Sequence, residues 1–384
     1  MRTPGPGAQT RWFARATLAV ASPVLLGLYA WFPFLGFVPY FALVPWILLY
    51  TDEERPAASA GWYLAGAWIA WMLQHPSVAH FGWFVPPVMA TALFIGWTPF
   101  PFLMRPIHRR FGWPRAFTVP ILWVAIEWLR ATITLAHFDL YALSYSQART
   151  TPLVQIADVT GAYGVTFLVA ACNGWVADAL VAWRSRGSEA GSAARSRQVL
   201  RSGATVAALF IAAVAYGVMR LGATHDEPGP RVTLVQPNVQ HNDRNAIGVH
   251  LSQIVFTDER VPPGSTDLIV WPENAILDNL RRPGMYLPDL ARLASEKGAP
   301  LLVGAMGKVS EAPGRMANAA YLVDDRGDIL GEVRKRILFP WSEMVPGDAL
   351  LRSVFPGLWR LQRALVRAGW DSCRRACRGA RRSC

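Results

Sequence analysis

The sequence predicts a multi-pass α-helical membrane bundle followed by a smaller α/β layered domain. Three observations carry this. Apolar runs crowd residues 1–221, short strand-like and helix-like segments alternate from Arg231 onward, and arginines gather in alternate loops between the apolar runs. The apolar share of 52% and the mean hydropathy of +0.22 are high for a chain of 384 residues, and the excess sits in the first half. The length allows more than one domain.

The apolar runs fall near 13–32, 33–50, 60–78, 84–104, 116–135, 161–183 and 203–221. Each approaches the roughly 20 residues that cross a hydrocarbon core as a helix. The first is not a simple secretion signal, because further spans follow with almost no soluble chain between them. Pro23, Pro45, Pro86 and Pro87 lie within or beside these runs, which membrane helices tolerate. Trp12, Trp31, Trp62, Trp83, Trp113 and Trp183 stand at run ends, where an indole suits the interface.

Charge sets the orientation. The formal net charge is +12, with 35 Arg and three Lys. Thirteen arginines fall on one set of loops: Arg2, Arg11, Arg15, Arg55, Arg105, Arg109, Arg110, Arg115, Arg184, Arg186, Arg195, Arg197 and Arg201. The alternate set holds only Arg130, Arg149 and Arg220. By the positive-inside rule the amino terminus is cytoplasmic and the chain beyond the seventh run lies outside. Clusters placed this way orient a membrane protein, so the basic balance does not point to nucleic acid.

In the polar half, VTLVQ, DLIVWPE, PLLVGAM and AAYLVD read as buried strands, and 244–257 and 288–297 as helices. Strands alternating with helices favour a layered α/β domain. The stretch 184–201, rich in Ser, Gly, Ala and Arg, reads as a flexible connector.

Two residues in this half carry candidate chemistry. Glu273 closes the DLIVWPE run, where a sheet delivers side chains to its carboxyl-end crevice. A partly desolvated carboxylate there could serve as a general base; a solvated acid capping a turn fits the same residue. Lys335 lies between Arg334 and Arg336 in a chain that uses Arg almost everywhere, so its compact ammonium is a candidate point charge. A basic residue on a solvated strand end is the plainer reading. The histidines, at 75, 80, 108, 137, 225, 241 and 250, show no metal-ligand spacing, and no metal or cofactor is expected.

Several motifs in order together resemble one family: IADVTGAYGVTFLVAACNG at 156–174, LVQPN at 234–238, WPEN at 271–274 and KRILFPWSEMVP at 335–346, with EWLR at 127–130. The polar half resembles the nitrilase-like, or carbon-nitrogen hydrolase, domain. Over roughly residues 15–346 the chain is similar to the apolipoprotein N-acyltransferase family, whose membrane bundle precedes an extracytoplasmic nitrilase-like αββα sandwich. The resemblance implies a cytoplasmic N-terminus over 1–12, a seven-helix transmembrane domain over 13–221 and a partial nitrilase-like domain over 222–370. It places the protein in a bacterial inner membrane with the second domain facing the periplasm.

The resemblance also implies a site and a reaction. Glu273 matches the family's base, Lys335 the cation that stabilises an oxyanion, and Glu343 a further acidic residue of the site. The reaction is ping-pong: a Cys thiolate takes an acyl chain from a phospholipid donor, and the amine of a diacylglyceryl-cysteine lipoprotein then attacks the thioester. The partners are therefore the phospholipid, the lipoprotein and the bilayer.

The nucleophile departs from the family pattern. Cys384 comes closest in spacing but follows Arg381, Arg382 and Ser383, Cys373 and Cys377 share its Arg-rich setting, and Cys172 lies inside an apolar run. Residues 371–384 hold five Arg and three Cys, whereas the preceding 370 residues hold one Cys. This tail reads as aberrant, a shifted frame or early end that leaves the nitrilase-like domain incomplete at its C-terminus. The corresponding expectation is that the chain as written does not complete N-acylation. Two rival classes stay open: a membrane-tethered amidase or nitrilase using the same groups, and a transporter or receptor, for which Glu127 and Arg130 are the candidate intramembrane pair.

Overall fold

The computed structural model describes residues 6–52, 65–66, 68–69, 72, 99–132, 142–185, 192–223, 228–238, 246–281, 283–308, 316–336, 353–354 and 356. The chain divides into two compact units, Met1–His225 and Asp226–Cys384.

The first unit is helical. It contains α1 (Pro6–Trp31), α2 (Pro39–Ala42), α3 (Val44–Asp52), α4 (Pro99–Phe111), α5 (Arg115–Thr132), α6 (Thr151–Val154), α7 (Ala157–Thr160), α8 (Ala162–Arg184) and α9 (Ser192–Ala223). Its core gathers Leu43, Ile47, Tyr50, Phe100, Met104, Trp123, Ile126 and Val169. Two described helices are long and apolar enough to cross a membrane: 162–184, with mean hydropathy 1.6, and 193–223, with 1.9.

The expected continuous span over 33–50 is instead a 3-10 turn at Pro33–Leu35 followed by α2 and α3. Pro33 and Pro39 each fall in a first helical turn, where the missing N–H is harmless, and each therefore starts a helix afresh. Asn173 of α8 accommodates the break: its Oδ1 accepts from Leu43 N at 2.8 Å and its Nδ2 donates to Pro39 O at 2.8 Å. Buried backbone groups freed by such a break need partners of this kind. The connector expected over 184–201 is also corrected, since α9 is helical from Ser192. Ala, Arg and Gln are good helix formers, and they outweigh the lone Ser and Gly signals. Most of the runs at 60–78 and 84–104 lies outside the described residues.

Helix α8 is central to this unit. A Cβ at Gly174 would stand 2.2 Å from the Arg115 carbonyl oxygen, so glycine permits the approach of α8 to the start of α5. At that point Asp178 accepts from Ala116 N at 3.2 Å and from Arg115 Nη1 at 3.1 Å. A buried carboxylate thus satisfies and charges the N-terminus of α5.

The second unit is a mixed sheet with helices, as expected of a nitrilase-like α/β domain. It contains β1 (Val232–Leu234), α10 (Ala246–Arg260), β2 (Leu268–Val270), β3 (Ile276–Asn279), α11 (Leu287–Lys297), β4 (Leu301–Lys308), β5 (Met316–Val323) and β6 (Ile329–Arg334). The strand order is β1-β2-β4-β5-β6, with β3 also paired to β4. Strands β1, β2, β3 and β4 pair parallel, while β5 and β6 add antiparallel. Ile269, Trp271, Ile276, Leu290, Leu293, Leu301, Val303 and Tyr321 form the core.

Candidate active site

The site begins with an interruption in the sheet. Strand β2 pairs with β4 through Leu301 and Leu302, and after a short loop the chain pairs with the same β4 as β3, through Ala305 and Met306. The loop between them is Trp271–Ala275, so it must lie across Gly304. A Cβ there would meet Pro272 O at 2.3 Å and Glu273 Cα at 2.8 Å, and only glycine leaves the room. The loop is closed by Trp271 N donating to Leu302 O at 2.9 Å and by Ala275 N donating to Pro272 O at 3.3 Å. Asn274 turns the chain at φ +58°, a left-handed conformation that Asn tolerates better than most residues.

This geometry carries Glu273 toward the neighbouring strands. Neighbouring strands lie about 4.8 Å apart, so β2 and β6 stand some three spacings from each other. The loop over β4 and the reach of a lysine close that gap: Lys335 Nζ donates to Glu273 Oε1 at 3.1 Å. Between them stands Asn318 of β5, whose side-chain amide also donates to Glu273 Oε1. The Asn318 carbonyl in turn accepts from Lys335 N at 2.8 Å. One residue therefore touches both partners, by its side chain and by its backbone.

The surroundings sort the charges. Glu332 on β6 is held by Arg334 at 2.8 Å and Arg281 at 3.1 Å. Those bonds, the Arg334 contact first, depress its pKa below the ordinary carboxylate range. Of the basic run 334–336, Arg334 thus turns to Glu332 and Lys335 to Glu273. Behind the loop, Trp271 Nε1 donates to Thr257 Oγ1 at 3.0 Å, and buried His250 lies edge-on to Trp271 and to Tyr286, with ring centroids 6.0 Å and 5.1 Å away. Burial pushes the His250 pKa below its ordinary value, opposed by Asp289 at 3.0 Å. Burial prevails because Asp289 is itself partly open to water.

Of the residues singled out in the sequence, Glu273 and Lys335 meet. Glu343, Cys373, Cys377 and Cys384 lie outside the described residues. Cys172 is a free thiol on α8 of the helical unit, beside Ala116, Ala171 and Val206. Sequence reasoning missed Asn318; the available signal was a lone amide within the apolar run MANAAYLV. Among the described residues no group of acidic, His and Cys side chains could hold a metal ion. The intramembrane candidate Glu127 is a structural tie, accepting from Trp123 Nε1 at 3.0 Å, Leu143 N at 2.8 Å and Thr166 Oγ1 at 2.9 Å.

Residues 22–175 match the apolipoprotein N-acyltransferase N-terminal domain family, and residues 231–371 match the carbon-nitrogen hydrolase family. The chain is similar to the apolipoprotein N-acyltransferase of Geobacter metallireducens, at 33% identity over 60% of this chain and 44% of that protein. It is 31% identical to the Rhizobium meliloti apolipoprotein N-acyltransferase over 63% of this chain and 45% of that one. The Sinorhizobium fredii apolipoprotein N-acyltransferase aligns more broadly, at 26% identity over 89% of this chain and 66% of its own length. The chain thus spans about half the length of the first two curated relatives. The two matched domains occur in the order these motifs imply, and over both of them the chain is similar to apolipoprotein N-acyltransferases.

Proposed function

We propose that this protein transfers an acyl chain from a phospholipid to the amino group of a diacylglyceryl-cysteine lipoprotein, through a cysteine thioester. The contact between Lys335 and Glu273, braced by Asn318, carries the reading. In this reaction Glu273 takes the thiol proton as sulfur attacks the phospholipid ester carbonyl. The carbonyl oxygen becomes an oxyanion beside the Lys335 ammonium, and collapse expels the lysophospholipid alcohol, which takes the proton back from Glu273. In the second half the lipoprotein amine attacks the thioester, Glu273 takes the amine proton, and the C–S bond breaks as the amide forms, the departing sulfur taking that proton back from Glu273. A fixed ammonium at the developing oxyanion lowers both barriers without reorganising, and the carboxylate serves as base and acid in turn. Glu343 is proposed as a further acidic residue of the same site.

The reading places the first unit in the bacterial inner membrane as a multi-pass bundle and the second in the periplasm. The Arg asymmetry and the two long apolar helices support this. The satisfied bonding of Glu127 speaks against the transporter alternative, which needs that carboxylate for traffic.

The test is acyl transfer in phospholipid micelles with a labelled diacylglyceryl-cysteine peptide. It reads a hydroxylamine-sensitive acyl-enzyme and the triacylated peptide separately. Glu273→Gln and Lys335→Met are each expected to lower product by about 100-fold or more, the usual scale for a lost acid-base or oxyanion group. Transfer that persists in both overturns the assignment of roles. Cleavage of small amides without acylation of the peptide favours a tethered amidase. A wild-type chain forming neither thioester nor product overturns the reading of this sequence as an active enzyme.

A further inference from the structure

The first turns of α9 do not pack tightly against α5. Between them lies a groove of about 440 Å3, lined by Pro114 and Phe117 on one side and by Arg197, Gln198, Arg201 and Thr205 on the other. Arg197 and Arg201 are four residues apart and share one helix face. Both are exposed, and no carboxylate lines the groove. Arg197 Nε donates only weakly to its own helix, to Ala193 O at 3.4 Å. The nearby carboxylate of Asp178 is committed to Arg115 and to the Ala116 amide. Two guanidinium groups thus face a groove with no counter-charge among the described residues.

The groove also has a definite depth. The end of α8 and the starts of α5 and α9 meet there: Asp178 binds the start of α5, and Trp175 Nε1 donates to Val199 O at 3.2 Å. Trp113, just before α5, and Trp183, at the end of α8, are 48% and 64% exposed at this same level, the setting of an interfacial aromatic belt. Further along α9, Leu209, Ile211, Val218 and Met219 are exposed, so the same helix carries apolar surface beyond the groove. From Arg201 to Ala223 the helix rises about 33 Å at 1.5 Å per residue, close to a hydrocarbon core's thickness.

We propose that this groove is a binding site for an anionic phospholipid of the leaflet at the α9 N-terminus. The phosphate lies between Arg197 and Arg201, Gln198 and Thr205 offer further hydrogen bonds, and an acyl chain lies over Phe117. Guanidinium pairs match phosphate oxygens in geometry and charge. A zwitterionic headgroup would bring an ammonium toward the same cations, so an anionic headgroup is favoured. The proposal rests on the reading of α8 and α9 as spans. It assigns a lipid additional to the acyl donor of the proposed reaction.

The experiment uses the full chain in nanodiscs of phosphatidylglycerol and phosphatidylcholine, reading retained lipid by native mass spectrometry and by a photoreactive phosphatidylglycerol. Phosphatidylglycerol is expected to be retained in preference and to crosslink to α9. The double variant R197Q/R201Q is expected to reduce that retention about 30-fold, from a factor of about five for each basic residue. R197K/R201K should keep most of it, and Arg149→Gln, at the opposite end, should leave it unchanged. Equal retention of both lipids, or retention indifferent to the double glutamine variant while the lysine variant is equally folded, overturns the site. Displacement by glycerol phosphate or inorganic phosphate as effectively as by lipid overturns the lipid assignment in favour of a soluble phosphate ligand. E273Q should bind the lipid normally, so failure here and failure of the acyltransferase reading are separable.

Discussion

Asn318 is the residue on which the two candidate catalytic groups converge. Its amide donates to the Glu273 carboxylate while its carbonyl receives the Lys335 backbone N–H. A hydrogen bond to a charged group contributes about 1.5–3 kcal/mol, so Asn318→Ala should lower acyl transfer by roughly 10- to 100-fold. The backbone bond survives the substitution, and the fold should be little changed. Transfer unaffected by N318A, with unfolding also unchanged, would show that the amide does not position the base. The only sign of this residue in the sequence was a lone amide in an apolar strand, which has no periodic signature and does not say what it binds. Glu273 and Lys335 were legible because each sits in a motif, WPEN and VRKRILFPW, whose neighbours narrow its role.

His250 sets a pH dependence at the same scale. Its unfolded imidazole titrates near 6.5, and burial depresses the folded value below that. Between those two values the unfolded chain binds more protons than the folded one, so stability rises with pH across that window. The second unit should therefore lose stability as pH falls below about 6.5 and show no His250 contribution above it. Hydrogen exchange of amides in 246–297 between pH 5 and 8 reads this, and His250→Gln should flatten the slope. A slope equal in the variant would assign the effect to another group.

Among elements, the loop across β4 is the most demanding. Gly304→Ala puts a methyl group against Pro272 O and Glu273 Cα. Overpacking of this kind costs about 1–3 kcal/mol, and relief must come by lifting the loop that carries Glu273. The expected result is a modest fall in the unit's urea midpoint with a larger fall in acyl transfer. Equal losses would mean that the loop refolds around the methyl without moving the carboxylate.

The elements also show where periodicity works. Strands β2, β4 and β5 and helices α10 and α11 were readable because each presents a buried apolar face, whereas β1, expected to be buried, is a strand that leaves Val232 and Leu234 exposed. Strand β3, in the sequence AILDN, is short and polar-ended, and β6, the last strand of the sheet among the described residues, carries Gly331, Glu332 and Arg334, so neither shows a run of buried residues. The break between α2 and α3 hid within a hydropathic run because hydropathy does not register proline. Its signal was the spacing of Pro33, Pro39 and Pro45.

For the whole molecule, two units with separate cores follow the composition shift near Arg231. The topology proposed from the arginines predicts that reporter fusions after Glu189 and after Ser265 lie on opposite sides of the membrane. The same side for both would remove the orientation and with it the periplasmic site. Span number is hard to read from hydropathy alone, because each helix depends on local breaks such as those at Pro33 and Pro39.

The attachment of both candidate groups to Asn318 has a mechanical consequence. A sheet breathes by sliding and tilting its strands, and a base and a cation placed on separate strands would drift with that motion. Here the Glu273 carboxylate and the main chain of Lys335 share a common mount on β5, the one through the Asn318 side chain and the other through its carbonyl. Thermal displacement of the strand therefore carries both together and leaves their mutual distance nearly constant, as two instruments fixed to one bench stay aligned when the bench shakes.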